Sequence, residues 1–302
     1  MLQSAYADNS NRVYNTALNA YSRFACNLPE VHNTLSTIED LSLFIAYLSI
    51  NKFSSNTIIT YTCAICQDLK FRTGLDLGQH FIIKRIIKSV KKTSTCDLRL
   101  PITRSILHKL TQATLHVCRS QYEAMLFSSI FNLAFHGLFR ISELVATQQA
   151  RGSILRFNHV CITGNRHNRT LTIKLAKSKT DQLSHSCNVS LREQTCDNIV
   201  TCPIVTMEHY LRARPSAFGS FYVHADGRAV TASQCNHVLQ SCLKFAGVAY
   251  VSRYSSHSFR IGGCTSLARM GVSEEELKLA GRWRSDTYKK YVRRSTVIPR
   301  IY

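Results

Sequence analysis

The stretch His257–Arg293, HSFRIGGCTSLARMGVSEEELKLAGRWRSDTYKKYVR, decides the reading of the whole chain. Its own punctuation divides it into three parts. Helical spacing runs from about Ser256 to Met270 and stops at Gly271, and Ser273 with Glu276 forms a capping box that starts a short second helix. The third part holds the only tryptophan, Trp283, and two tyrosines, Tyr288 and Tyr291. Around them stand Lys278, Arg282, Arg284, Lys289, Lys290, Arg293 and Arg294. His257 and Arg260 are three residues apart, so a helix presents both on one face. A His and an Arg at a helix start suit an anion, because free backbone N–H groups and the helix dipole add to their charge. Gly262 and Gly263 let another backbone pack closely. Trp and Tyr are ordinarily core residues, but tyrosine interleaved with this much positive charge also suits phosphate chemistry.

Upstream, Arg140 lies in LFRISELVAT with Glu143 three residues on. On a helical turn the two share a face, and the carboxylate can hold the guanidinium in place. An arginine among Leu, Phe and Ile needs a partner or an anion if it is buried. Lys179 lies in KLAKSKTDQ, between strand-like runs, where a hairpin tip can extend a lysine into a neighbouring cleft; Lys177 is the alternative.

The first third of the chain reads as helices. Val13, Ala17, Tyr21 and Phe24 recur at helical spacing, and Ser36 with Glu39 forms a capping-box pattern ahead of Leu41, Phe44, Ile45 and Leu48. Ser54 to Lys70 is a third periodic run that ends near Gly74, and Phe81 to Lys92 is a fourth, strongly basic one. Residues 96–102, polar with one proline, read as a linker between a helical module (1–95) and a larger domain (103–302). In the larger domain Thr103 caps one helix, and a strongly apolar helix follows from about Tyr122 to His136. ILRFNHVCIT, RTLTIKLAKSKT and HSCNVSL alternate as short antiparallel strands, and Thr231 with Gln234 opens a return to helix that stops at Gly247. The expected fold class is mostly α with a small antiparallel β-sheet.

Composition narrows the function. The 302 residues carry 38 Lys and Arg against 18 Asp and Glu, a formal net charge of +20. Before residue 98 there are 10 basic and 7 acidic residues; from there on there are 28 and 11. A positive field concentrated in the last two thirds attracts a polyanion, of which nucleic acid is the commonest. A membrane surface is the rival partner, but there is no basic amphipathic helix with an aromatic face and no apolar run of roughly 20 residues. The N-terminus lacks the basic and apolar regions of a signal peptide. Twelve cysteines are then expected as reduced thiols, and none of their groupings has the spacing of a closed zinc site, so neither a metal nor a cofactor is expected.

The ordered set Arg140–Glu143, Lys179, His257-x-x-Arg260, a turn with Gly281 and Trp283, and a late tyrosine resembles the tyrosine recombinases, or phage integrase family. The resemblance covers nearly the whole chain. GRWRSDTY and SKTDQ look most like recombinases of eukaryotic mobile elements of the DIRS or Crypton type. It implies a SAM-like helical core-binding domain followed by the catalytic domain, closing as a clamp on double-stranded DNA. It also implies metal-free, ATP-free strand cleavage through a 3′-phosphotyrosyl link, with a tetramer on two sites. In that scheme Arg140 and Arg260 neutralise the phosphate, a task suited to guanidinium forks. Glu143 orients Arg140, Lys179 protonates the leaving 5′ oxygen, and His257 assists proton transfer. Trp283 donates its indole N–H or packs behind the nucleophile, which is Tyr291 rather than Tyr288. A nuclear location follows if the host is eukaryotic, and a cytoplasmic one otherwise.

One departure from the family pattern stands out. The family commonly has His or Trp directly after the glycine, whereas here Arg282 separates Gly281 from Trp283. Counted from Gly281, Tyr291 falls at the usual distance and Arg282 takes the slot; counted from Trp283, the gap is one residue short. Trp283 is the chemical preference, with Arg282 touching phosphate nearby. A domesticated DNA-binding protein without catalysis, or a type IB topoisomerase, shares enough of this pattern to stand as an alternative.

Overall fold

The computed structural model describes residues 8–27, 37–92, 99–147, 155–165, 168–175, 187–193 and 199–293. The chain divides into two compact units, Met1–Asp97 and Leu98–Tyr302.

The first unit contains α1 (Asp8–Ala25), α2 (Ile38–Ile50), α3 (Ser55–Thr73) and α4 (Phe81–Lys92). Tyr21, Leu41, Phe44, Ile45, Leu48, Ile58, Ile65 and Leu69 form its core. The capping box of α2 sits one residue later than Ser36 and Glu39 suggest. The Thr37 hydroxyl accepts from the Asp40 N–H at 3.1 Å, and the Asp40 carboxylate accepts from the Thr37 N–H at 3.3 Å. An aspartate can close the box as a glutamate does, and the pattern on either register points the same apolar residues inward. The Ser54 hydroxyl caps α3, which ends at Gly74 with φ +76°. α4 buries Ile83 and leaves Lys84, Arg85, Lys88, Lys91 and Lys92 exposed.

The second unit is helical around a small sheet. α5 (Arg104–Val117), α6 (Gln121–His136) and the one-turn α7 (Ile141–Leu144) precede β1 (Val160–Thr163), β2 (Thr170–Leu175) and β3 (Cys187–Arg192). α8 (Pro203–Ala213), α9 (Ala232–Phe245), α10 (His257–Arg269) and α11 (Glu274–Gly281) follow. The strands pair antiparallel in the order β1-β2-β3, with Ile173 opposite both Val160 and Val189. Leu171, Ile173 and Leu175 face the core, as period-two alternation requires. α6 is apolar nearly all round and is correspondingly buried on every side, which makes it the axis of the unit. No helix among the described residues is long and apolar enough to cross a membrane, and none of their His, Cys, Asp and Glu side chains gather as a metal site.

The expected linker does not extend to 102. The Leu100 N–H donates to the Arg253 carbonyl at 2.9 Å, the Ile102 N–H to the Ser258 carbonyl at 3.1 Å, and Ile102 is fully buried. A polar composition marks a stretch as linker only when its few apolar residues find no distant partner, and here they do. Gly262 makes the contact possible. A Cβ there would lie 1.8 Å from the Ile102 carbonyl oxygen, and one on Gly263 would lie 2.2 Å from that of Phe135. Gly262→Ala is therefore expected to push α10 off its seat and lower stability by roughly 3 kcal/mol. A urea midpoint within error of the unaltered protein would show that the seat is looser than this.

His136, at the end of α6, hydrogen-bonds the Thr201 carbonyl through Nε2 at 3.0 Å. Burial, reinforced by the positive charge of Arg104, lowers its pKa from 6.5 to about 4. Below the ordinary histidine value the unfolded chain takes up a proton that the folded protein refuses. Stability should thus fall as pH drops from 6.5 towards 4, by up to roughly 2–3 kcal/mol at the lower end. Urea titrations at a series of pH values check this: His136→Gln should show a shallower acid loss, and an unchanged slope would assign the loss to other groups.

Candidate active site

The site is assembled where α6 turns into α7. Gly137 and Leu138 end α6, and Leu138 takes a left-handed backbone (φ +48°). Such a conformation costs a non-glycine residue about 1–2 kcal/mol. The Leu138 side chain is buried in a small separate core with Cys264, Leu277, Trp283 and Tyr288, which offsets that cost. The turn aims the carbonyls of Gly137 and Leu138 at two arginines.

Arg140 is the residue before α7, with its side chain 16% exposed. Its Nη1 donates to Glu143 Oε1 at 3.0 Å, and its backbone N–H donates to Glu143 Oε2 at 2.9 Å. One carboxylate therefore both starts the helical turn and holds the guanidinium.

Arg260, on α10, is completely buried. Its Nη1 donates to the Leu138 carbonyl and its Nη2 to that of Gly281, while its Nε finds no partner. Its guanidinium carbon lies 4.4 Å from the centre of the Trp283 ring and 5.4 Å from that of Tyr291. Burial pulls the Arg260 pKa down to about 10, and the charges of Arg140 and Arg282 pull the same way against Glu143. It remains a cation at neutral pH. Three guanidiniums around one carboxylate leave an excess of positive charge in a largely water-free place, and that arrangement calls for an anion.

His257 opens α10, and its Nε2 lies 3.0 Å from the Tyr291 hydroxyl in a hydrogen bond. Tyr291 follows a short 3₁₀ turn, Asp286–Lys290. Its carbonyl accepts from the Thr265 hydroxyl at 3.1 Å, and that same hydroxyl accepts from the Arg293 N–H at 3.1 Å. Thr265 thus pins the tyrosine segment to α10. Trp283 is 93% buried, with its ring 5.0 Å from that of Tyr291 and its indole N–H unpartnered. Its ring packs against that of Tyr291. Gly281 makes room, since a Cβ there would lie 1.8 Å from the indole. Tyr288 is only 3% exposed and belongs to the small core.

Arg140, Glu143, His257, Arg260, Trp283 and Tyr291 therefore come together, although they are spread over the second unit's sequence. Lys179, and its alternative Lys177, lie outside the described residues. Arg282 differs from expectation. Instead of standing free for a phosphate, it turns inward to Glu143 Oε2 at 2.9 Å. Sequence reasoning missed Thr265 and the carbonyls of Gly137 and Leu138 altogether. A threonine inside a helix and backbone oxygens in a turn carry no motif.

No protein-family model matches the chain, and no curated protein matches it. Solved structures do. A XerH site-specific recombinase bound to its difH substrate, in a pre-cleavage complex, is 14% identical with a TM-score of 0.65, covering 95% of this chain and 76% of that one. A lambda integrase dimer bound to a COC′ core site is 11% identical with a TM-score of 0.63, covering 95% and 72%. The Tn1549 transposon integrase in complex with circular-intermediate DNA is 15% identical with a TM-score of 0.56, covering 93% and 96%. On this likeness, over almost its whole length, the chain has the fold of the tyrosine site-specific recombinases and integrases.

Proposed function

We propose that this chain cleaves and rejoins double-stranded DNA through a 3′-phosphotyrosyl intermediate on Tyr291. The observation that carries the reading is the Tyr291 hydroxyl 3.0 Å from His257 Nε2, with its ring 5.4 Å from the buried guanidinium of Arg260. A nucleophile, a proton acceptor and fixed positive charge meet within one site.

In this reading the Tyr291 oxygen attacks the scissile phosphorus and its proton passes to His257. The P–O5′ bond breaks, and Lys179 gives its proton to the leaving 5′ oxygen. The reverse attack by a 5′-hydroxyl from another strand rejoins the DNA, so no outside energy source is consumed. The negative charge that builds on the phosphorane oxygens is met directly by the Arg140 guanidinium and, from beneath Tyr291, by the fixed buried charge of Arg260, whose Nη1 and Nη2 are held by the Leu138 and Gly281 carbonyls. As the Tyr291 ring lies over Arg260, the ring swings outward when a phosphate enters. The exposed lysines of α4 and the basic second unit supply the rest of the phosphate contacts, with steep salt dependence. Strand exchange between two sites takes four protomers. The GRWRSDTY and SKTDQ likeness supports a eukaryotic mobile element as the source, and with a eukaryotic host the reaction takes place in the nucleus.

The test is a duplex from the DNA flanking its own gene, nicked beside the cleavage position so that the released fragment diffuses away. A covalent complex whose peptide carries nucleotide on Tyr291 is the expected result. Binding with no adduct identifies a non-catalytic DNA-binding protein. Relaxation of supercoils without strand exchange identifies a topoisomerase.

A further inference from the structure

We propose that Arg282 is a positioning residue for this reaction. It fixes Glu143, and through Glu143 the guanidinium of Arg140, and does not itself meet the phosphate. The inference rests on the reading just given.

The donors of Arg282 are already committed. Nη2 donates to Glu143 Oε2 at 2.9 Å and to the Leu138 carbonyl at 3.1 Å. Nη1 donates to the Gly137 carbonyl at 3.1 Å, with the Ala280 carbonyl at 3.5 Å. The remaining donor, Nε, is buried and finds no partner. The cation lies 4.8 Å over the Phe139 ring, which closes one of its faces. Its side chain and that of Glu143 are each 6% exposed, against 16% for Arg140. Of the two arginines on this carboxylate, only Arg140 reaches the surface from which a phosphate arrives.

The division of Glu143 between them is specific. Oε1 takes Arg140 Nη1, and Oε2 takes Arg282 Nη2 together with the backbone N–H of Arg140. A carboxylate held by one side chain can still turn about its last bond. Contacts on both oxygens, backed by Arg282's grip on the Gly137 and Leu138 carbonyls, leave it one orientation. The position of Arg140 Nη1 follows from that orientation.

The backbone at Arg282 supports the same conclusion. It caps α11 in the left-handed region, with φ +56°. Glycine is the residue that adopts this conformation freely, and any other residue is strained there. The guanidinium must contribute enough at this spot to outweigh the strain.

The experiment is a double-substitution cycle read by single-turnover cleavage on the nicked duplex, alongside DNA affinity and Tm for each variant. Arg282→Lys keeps the charge and loses the planar fork. It should cleave at least about tenfold more slowly with Kd changed less than about twofold. In an Arg140→Lys background the same change should slow cleavage by less than about threefold, because its effect runs through Arg140. An equal loss in both backgrounds means that Arg282 acts by its own contact or by general structure, and overturns the proposal, as does an Arg282→Lys variant with unaltered cleavage. Should Arg282→Lys fail to fold, Arg282→Gly, which suits the backbone, takes its place in the same cycle. If the unaltered protein forms no adduct, the preceding reading falls and this one with it. If it cleaves and the cycle is additive, only this one falls.

Discussion

Tyr291→Phe is expected to bind DNA as tightly as the unaltered protein and to form no covalent complex. The substitution removes one oxygen and keeps the ring. The packing 5.0 Å from Trp283 and the position 5.4 Å from Arg260 belong to the ring, so the segment should stay seated. What is lost is the hydrogen bond to His257, worth about 1 kcal/mol of stability, and with it the only atom at this position able to bond phosphorus. Tyr288→Phe serves as the contrast. That ring is buried among Leu138, Cys264, Leu277 and Trp283, with Lys278 and Lys289 5.5 and 5.8 Å from its centre. Its position is structural, and the variant should still form the adduct. Denaturing gels of nicked-duplex reactions decide the matter, and an adduct retained in Tyr291→Phe but lost in Tyr288→Phe would reverse the assignment of the nucleophile.

What the sequence reveals and what it hides divide along a physical line. Signals that act within a few residues are legible. The Thr231–Gln234 and Ser273–Glu276 boxes, the stop at Gly74 and the Arg140–Glu143 pair all form as their spacing predicts. Gly262 and Gly263 announce a close approach without saying to what. Only the fold identifies Ile102 and Phe135 as the backbones that arrive there. Arg282 shows the limit most clearly. Its position beside Gly281 and Trp283 suggests a residue that faces phosphate. Its actual partner, Glu143, is far off in sequence and is reached because the turn at Leu138 and the left-handed cap at Arg282 face one another. Neither backbone conformation is written in a residue type, since both positions hold side chains that ordinarily avoid it. For the same reason Thr265 reads as one more helical residue, while in the fold it is the peg that holds Tyr291 in place.

Glu143→Ala should damage both the stability and the cleavage activity of the second unit while leaving the nucleophile in place. Glu143 is 5% exposed, and its carboxylate is the anionic partner of both Arg140 and Arg282. Removing it strands a guanidinium that is 94% buried in Arg282, while Arg140, at 16% exposure, can turn towards water. Breaking a buried ion pair from one side costs about 3–5 kcal/mol. The backbone carbonyls that Arg282 keeps place this case near 3 kcal/mol, a fall in Tm of roughly 6–12 °C for a unit of this size. Cleavage should drop by at least about a hundredfold beyond any loss of folded protein, because a phosphate ligand misplaced by about an ångström costs that much. Adding Arg282→Met to Glu143→Ala should recover part of the stability, since it removes the stranded charge and fills the space with an apolar chain, yet it should recover none of the cleavage. That split separates the two functions of the carboxylate, neutralising a buried cation and aiming an exposed one. If the double variant regained cleavage together with Tm, Glu143 would be no more than a structural counter-ion, and Arg140 would find its working position without help.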